Sequence, residues 1–131
     1  MTKSLVYKPS ISINISDSVL MIHKNTLRIL GTPEYIQILV NPNDKSIVLC
    51  CSAESDHLAH YVKREIFTVG KKTYKLHSCA LLQGLYKIYP KFIIGNTYKI
   101  YGKFIPNLNI IKFDMNDSVL SVRYEKECDY E

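Results

Sequence analysis

Tryptophan is absent from this chain, and glycine, proline and arginine are scarce. Five glycines in 131 residues leave little room for glycine-rich phosphate loops, and no nucleophile elbow occurs. No apolar run approaches the roughly 18 residues of a membrane span, so no membrane partner is expected. The N-terminal MTKSLVYKPS lacks the apolar stretch and small-residue site of a secretory signal. Both absences lead to the expectation of a cytoplasmic protein. No paired carboxylates lie amid apolar sequence, and no Cys-x-x-Cys pair occurs. Catalysis, a cofactor and a metal site are therefore not expected. His57-x-x-His60 alone matches no standard zinc spacing. Cys50 and Cys51 are adjacent in an apolar strand-like run and point to opposite faces, so they are poor disulfide partners. Reduced thiols fit the same compartment.

Arginine scarcity bears on function. There are three arginines against fourteen lysines, and bidentate arginine–guanine contacts are the commonest means of reading sequence in DNA. What the chain does have is a block of positive charge. Residues 1–60 are neutral in sum, residues 61–112 carry ten basic side chains against Glu65 alone, and residues 113–131 are net acidic. A basic block of this kind is the footprint expected for a polyanion.

Within that block, aromatic and basic residues interleave. Strand periodicity places Lys99, Tyr101 and Lys103 on one face of the segment 97–105. Ammoniums neutralise phosphates and tyrosine rings stack on bases. The candidate nucleic-acid-binding residues are Lys63, Arg64, Lys71, Lys72, Lys75, Lys99, Tyr101, Lys103 and Lys112. The competing reading is a protein-interaction or structural module, such as a phage or mobile-element accessory protein, whose lysines only keep it soluble. A third is a small-ligand or enzymatic barrel with a pocket near His23 and His77.

Hydropathy patterning predicts an α+β, β-rich domain spanning the whole chain. Ile11, Ile13 and Ile15 alternate with polar residues as a strand, and Val19–His23 forms another. HKNTLRILG reads as a short helix stopped by Gly31 and Pro33. Tyr35–Val40 and Ser46–Cys51 flank the turn Asn41-Pro42-Asn43-Asp44 as a hairpin. A polar connector, 52–65, leads to strands at Ile66–Val69 and Thr73–His77. Ser78 caps a helix reaching about Tyr89, with Leu81, Leu82, Leu85 and Ile88 as its apolar stripe. Thr97–Ile105 and Ile110–Asp114 make a second hairpin, and residues 115–131 form an acidic tail.

The order suggests an internal repeat, 10–51 and 66–114. Ile22-His23 matches Leu76-His77 at an offset of 54. Beyond the helices the offset becomes 64. There Ile36, Val40, Pro42, Asn43, Ile47 and Leu49 fall on Ile100, Phe104, Pro106, Asn107, Ile111 and Phe113. Two such units predict a closed barrel with pseudo-twofold symmetry, since closure removes exposed edges.

Lys24, Leu27, Arg28, Leu30 and Gly31, followed by the hairpin 35–51, resemble the AbrB and MraZ swapped-hairpin family over about thirty residues. His23 and His77 stand where that family has proline, and the arginine expected before the proline is missing from both copies. The resemblance implies a cradle-loop barrel in a DNA-binding transcription regulator of bacterial or phage type. A double-psi barrel of similar units satisfies the same pattern. Exposed strand edges or apolar patches would allow a homo-oligomer.

Overall fold

The computed structural model describes residues 8–67 and 73–121. Strand β1 (Ser10–Asn14) and β2 (Val19–His23) lead into helix α1 (Lys24–Ile29). Then follow β3 (Tyr35–Asn41), β4 (Ser46–Cys51), the short β5 (His60–Tyr61) and a 3₁₀ turn at Arg64–Phe67. Next come β6 (Thr73–His77), helix α2 (Cys79–Ile88), β7 (Thr97–Ile105) and β8 (Ile110–Asp114). A second 3₁₀ turn, Met115–Asp117, ends in β9 (Val119–Leu120). All strands pair antiparallel in the order β5-β3-β4-β8-β7-β1-β2-β6, with β9 added to β7. The sheet curls into a half-barrel. Among the described residues β5 and β6 do not pair with each other, so the closure expected from the sequence is not made there.

Isoleucine alternation puts Ile11 and Ile13 of β1 and Leu20 and Ile22 of β2 inside the curl, where Ile36, Ile47, Leu49, Ile100, Ile111 and Phe113 meet them. Each fully buried side chain of this size contributes roughly 1.5–3 kcal/mol relative to exposure. The helices plug the interior: α1 with Leu27, and α2 with Leu82 and Leu85. Chain chemistry sets their ends. The His23 imidazole Nδ1 accepts from the Asn25 N–H at 3.1 Å to open α1. At its other end Gly31 (φ 97°) donates to Arg28 and Thr32 to Leu27, a Schellman closure that suits glycine. Ser78 accepts from the Leu81 N–H to open α2, as its sequence position suggested.

Three elements depart from the expected pattern. Residues 66 and 67 belong to the 3₁₀ turn rather than a strand, and buried Ile66 enters the core from there. The strand position is taken by His60–Tyr61, inside the segment expected to be a connector, and Val62 beside it is fully buried. Met115, at the head of the expected tail, is also fully buried, and β9 pairs with Tyr98 and Lys99. Val69 of the expected strand and the tail beyond residue 121 lie outside the described residues.

The pairing registers are regular. β2 meets β6 with Met21 opposite Lys75 at the centre, and β4 meets β8 with Val48 opposite Lys112 at the centre. β7 is the longest strand and serves both edges. β1 lies along one side of it, while β8 and then β9 lie along the other.

Gly102 sits where β7 passes from β9 to β8. A Cβ there would fall 2.6 Å from the Phe113 ring and 2.9 Å from Ile111 Cγ2. Both neighbours are fully buried and cannot swing away. Gly102→Ala should therefore cost about 1–3 kcal/mol by overpacking. Urea unfolding checks this, and Phe113→Leu in the same chain should recover part of the loss.

Candidate nucleic-acid interface

The outward residues of β7 and β8 bring several lysines together on one surface. Period-two alternation sends Ile100 and Phe104 inward and leaves Lys99, Tyr101 and Lys103 outward. The Tyr101 ring is 40% exposed. Two ammoniums approach its centroid, Lys99 at 5.1 Å and Lys8 at 5.3 Å. Each is within cation–π reach, and the ring's negative quadrupole offsets part of their mutual repulsion. Lys103 stands directly opposite Lys112 across the β7–β8 ladder. Like charges in that position are destabilising unless an anion lies between or beside them.

One such anion comes from the chain. Lys112 Nζ lies 3.0 Å from Asp44 Oδ2 on the β3–β4 turn. The Asp44 carboxyl also accepts from Ser46 Oγ at 2.6 Å. These bonds, the Ser46 hydroxyl first and the lysine next, hold Asp44 below the ordinary aspartate range. Lys8, Tyr101, Gly102, Lys103, Ile105, Lys112, Asp114 and Asp117 line an open cleft of about 450 Å³. Its aromatic floor and rim of both charge signs suit an anionic ligand that also presents an apolar face.

Of the nine residues singled out in the sequence, four converge here: Lys99, Tyr101, Lys103 and Lys112. Lys75 lies on the same row of the sheet, reached from Lys99 through Ser12 and Met21. Three strand spacings, about 14 Å, separate the two lysines. Lys63 and Arg64 follow β5 at the far end of the strand order. Arg64 donates to the Thr32 carbonyl at 2.9 Å and lies over the Phe67 ring, so it ties the 3₁₀ turn to the end of α1. Lys71 and Lys72 lie outside the described residues. Lys8, Asp114 and Asp117 were not singled out. Lys8 comes from the neutral part of the chain, and the Pro9 carbonyl that follows it accepts from the Gly102 N–H at 2.8 Å. Only the fold reveals this proximity.

The alternative sites gain little. His23 pairs with Thr73 and His77 with Val19, so the two histidines stand at opposite ends of the β2–β6 ladder. Burial pushes the Cys50 and Cys51 thiols up, which favours the unreactive protonated form. No three His, Cys, Asp or Glu side chains converge among the described residues. No helix among them is long and apolar enough to cross a membrane. No family model matches the chain, and no curated protein or solved structure matches it significantly.

The Asp44 pair gives a titration test. Its folded pKa is depressed, so its contribution to stability is present above the ordinary carboxylate pKa. That contribution is lost as pH falls through the folded value. Being exposed, it should be small. Carboxyl NMR should find Asp44 titrating below the usual aspartate range. Ser46→Ala and Lys112→Ala should each move it up.

Proposed function

We propose that this chain binds nucleic acid through the outer face of β7 and β8, in the manner of a small regulator that grips the phosphate backbone with little reading of sequence. The observation that carries this is the exposed Tyr101 ring with two ammoniums at 5.1 and 5.3 Å, beside the opposed Lys103 and Lys112. Phosphates would relieve the clustered positive charge, and the aromatic surface would offer a base a stacking partner. Single strands suit the site better than duplex. The face is a sheet, and neither α1 nor α2 contributes a residue to the cleft. No arginine among the described residues lines the cleft, consistent with tolerant rather than base-specific binding.

We further read the fold as two tandem units related by a pseudo-twofold axis. Three registers support this. At an offset of 54, Met21 is matched to Lys75, the residue it faces in the β2–β6 ladder. At 64, Val48 is matched to Lys112, which it faces between β4 and β8. The β3–β4 hairpin becomes the β7–β8 hairpin in the same register, Val40↔Ile47 becoming Phe104↔Ile111. β5 then takes the place of β1 in the second unit. The unit order strand–strand–helix–hairpin, with the capped turn Lys24–Gly31, is compatible with the AbrB and MraZ resemblance. The arginine shared with that family, Arg28, bonds to Asn25 and approaches the Phe67 carbonyl. The regulator reading therefore rests on β7 and β8 and not on the family's arginines.

A second reading draws support from Asp114 and Asp117. Carboxylates on the rim of a basic cleft suit a protein partner bearing both signs of charge. Fluorescence anisotropy with labelled single- and double-stranded DNA and RNA over a salt series separates the two. Nucleic-acid binding predicts a preference for single strands and a log–log salt slope of roughly −3 for four lysines. Lys103→Glu should flatten that slope, and Tyr101→Ala should cost about 1–3 kcal/mol of affinity. Absence of binding at low ionic strength would overturn the proposal and leave the protein-partner reading.

A further inference from the structure

Sheet edges are where strands recruit other strands, and the edges of this sheet are not equally protected. In β7, β1 covers residues 97–101, the Gly102 N–H donates to the Pro9 carbonyl, and Lys103 guards the stretch beyond. Its counterpart β3 is covered on that side by β5 only at Tyr35 and Ile36. Among the described residues, none pairs with Gln37–Asn41 on that side. The Tyr35 carbonyl accepts from Ser52 on the β4 side, and the Glu34 carbonyl accepts from Val62 on the β5 side. Antiparallel alternation therefore turns the N–H and C=O groups of Ile38 and Val40 toward the open edge.

Natural edges are blunted by lysine, proline or a bulge. The other open edge, β6, carries Lys75 at its centre with His77 at its end. The β3 edge has none of these devices. It reads Gln-Ile-Leu-Val-Asn, uncharged and strongly β-forming, with Leu39 45% exposed. The segment is also palindromic in character: amide, branched, leucine, branched, amide. An antiparallel copy of itself meets like with like only when the axis passes through Leu39.

We infer that residues 37–41 pair with the same residues of a second copy, antiparallel about a twofold axis at Leu39. In that register Ile38 exchanges both backbone hydrogen bonds with Val40 of the second copy, and the symmetry mate repeats the exchange. The two Leu39 side chains meet at a non-hydrogen-bonded position, where cross-strand side chains lie closest. Gln37 faces Asn41 of the second copy, amide to amide. On the inner face Ile38 and Val40, which already pack against the core, extend the apolar layer across the junction. The β3–β4 turn leads each chain away where β5 begins, so the pairing stops at Asn41. Such an interface is isologous and closed, as a twofold dimer requires. It leaves the β7–β8 cleft of each copy open and does not depend on what that cleft binds.

Sedimentation equilibrium of the full chain tests this. The wild type should approach twice the chain mass of 15.1 kDa as concentration rises. Leu39→Lys and Leu39→Glu should each weaken self-association by roughly tenfold or more, because like charges meet on the axis. Mixing the two variants should restore the dimer as a heterodimer. Amide hydrogen exchange on the wild type gives an independent reading should either variant unfold. Protection at Ile38 and Val40 should increase with protein concentration. A wild type that stays monomeric, a dimer indifferent to both substitutions, or exchange at Ile38 and Val40 independent of concentration would overturn the inference.

Discussion

The missing side chain at Gly102 is the constraint on which the rest of this structure depends. β7 must hold β1 along one edge and both β8 and β9 along the other. Where it passes from one neighbour to the next, the Phe113 ring lies against its backbone, closer than any Cβ would permit. That contact draws β8 over the core and brings Ile111 and Phe113 inward. The same alternation turns Lys112 and Lys103 outward together. The Gly102 N–H also takes the Pro9 carbonyl, which places Lys8 beside Tyr101. The basic cleft is thus a by-product of how one crowded strand crossing is packed.

Charge in that cleft is partly answered from within the chain. The basic block of residues 61–112 is followed at once by Asp114, the last residue of β8, and by Asp117 in the turn after it, and both line the cleft. Asp44 reaches Lys112 from the first hairpin. Internal neutralisation of this kind lowers the cost of opposing Lys103 and Lys112. It also leaves Lys8, Lys99 and Lys103 as the cations nearest Tyr101 that no carboxylate grips among the described ion pairs. A ligand of high negative charge would compete with Asp44, whereas a ligand with both signs would use the rim as it stands.

Much of the fold was legible in the sequence because local chemistry determined it. Gly31 ends α1, Ser78 opens α2, and the Pro-Asn turns close two hairpins, each by backbone geometry that acts over a few residues. Ile66 and Phe67 misled because apolar residues beside a basic pair look the same whether a strand or a 3₁₀ turn delivers them to the core. His60 and Tyr61 were missed because two paired residues carry no periodicity to detect. The face of β7 followed from period two, yet the opposition of Lys103 and Lys112 required a hairpin register. Lys8 required a tertiary contact ninety-odd residues away in sequence. Lys63 and Arg64 were adjacent in the basic block but not in space, because they follow the strand at the other end of the sheet.

On the tandem reading, the two hairpins occupy equivalent positions and present opposite chemistry. The outward Tyr101, Lys103 and Lys112 of the second correspond to Gln37, Leu39 and Val48 of the first. Those positions point away from the core in both units, so packing does not dictate them, and the difference must be sought in what each surface meets. A lysine at the position of Leu39 would cost the core nothing and would protect an open edge, as Lys75 protects β6. Its absence is hard to explain in a chain that carries fourteen lysines and places them freely elsewhere on the surface. In the second unit β1 reaches only as far as Tyr101, and Lys103 supplies the charge that protects the edge beyond it. The first has no charge on Gln37–Asn41, where β5 gives no cover, and an uncharged edge is what a neighbouring strand would require. Division of labour between one charged hairpin and one pairing hairpin accounts for both surfaces with a single cause.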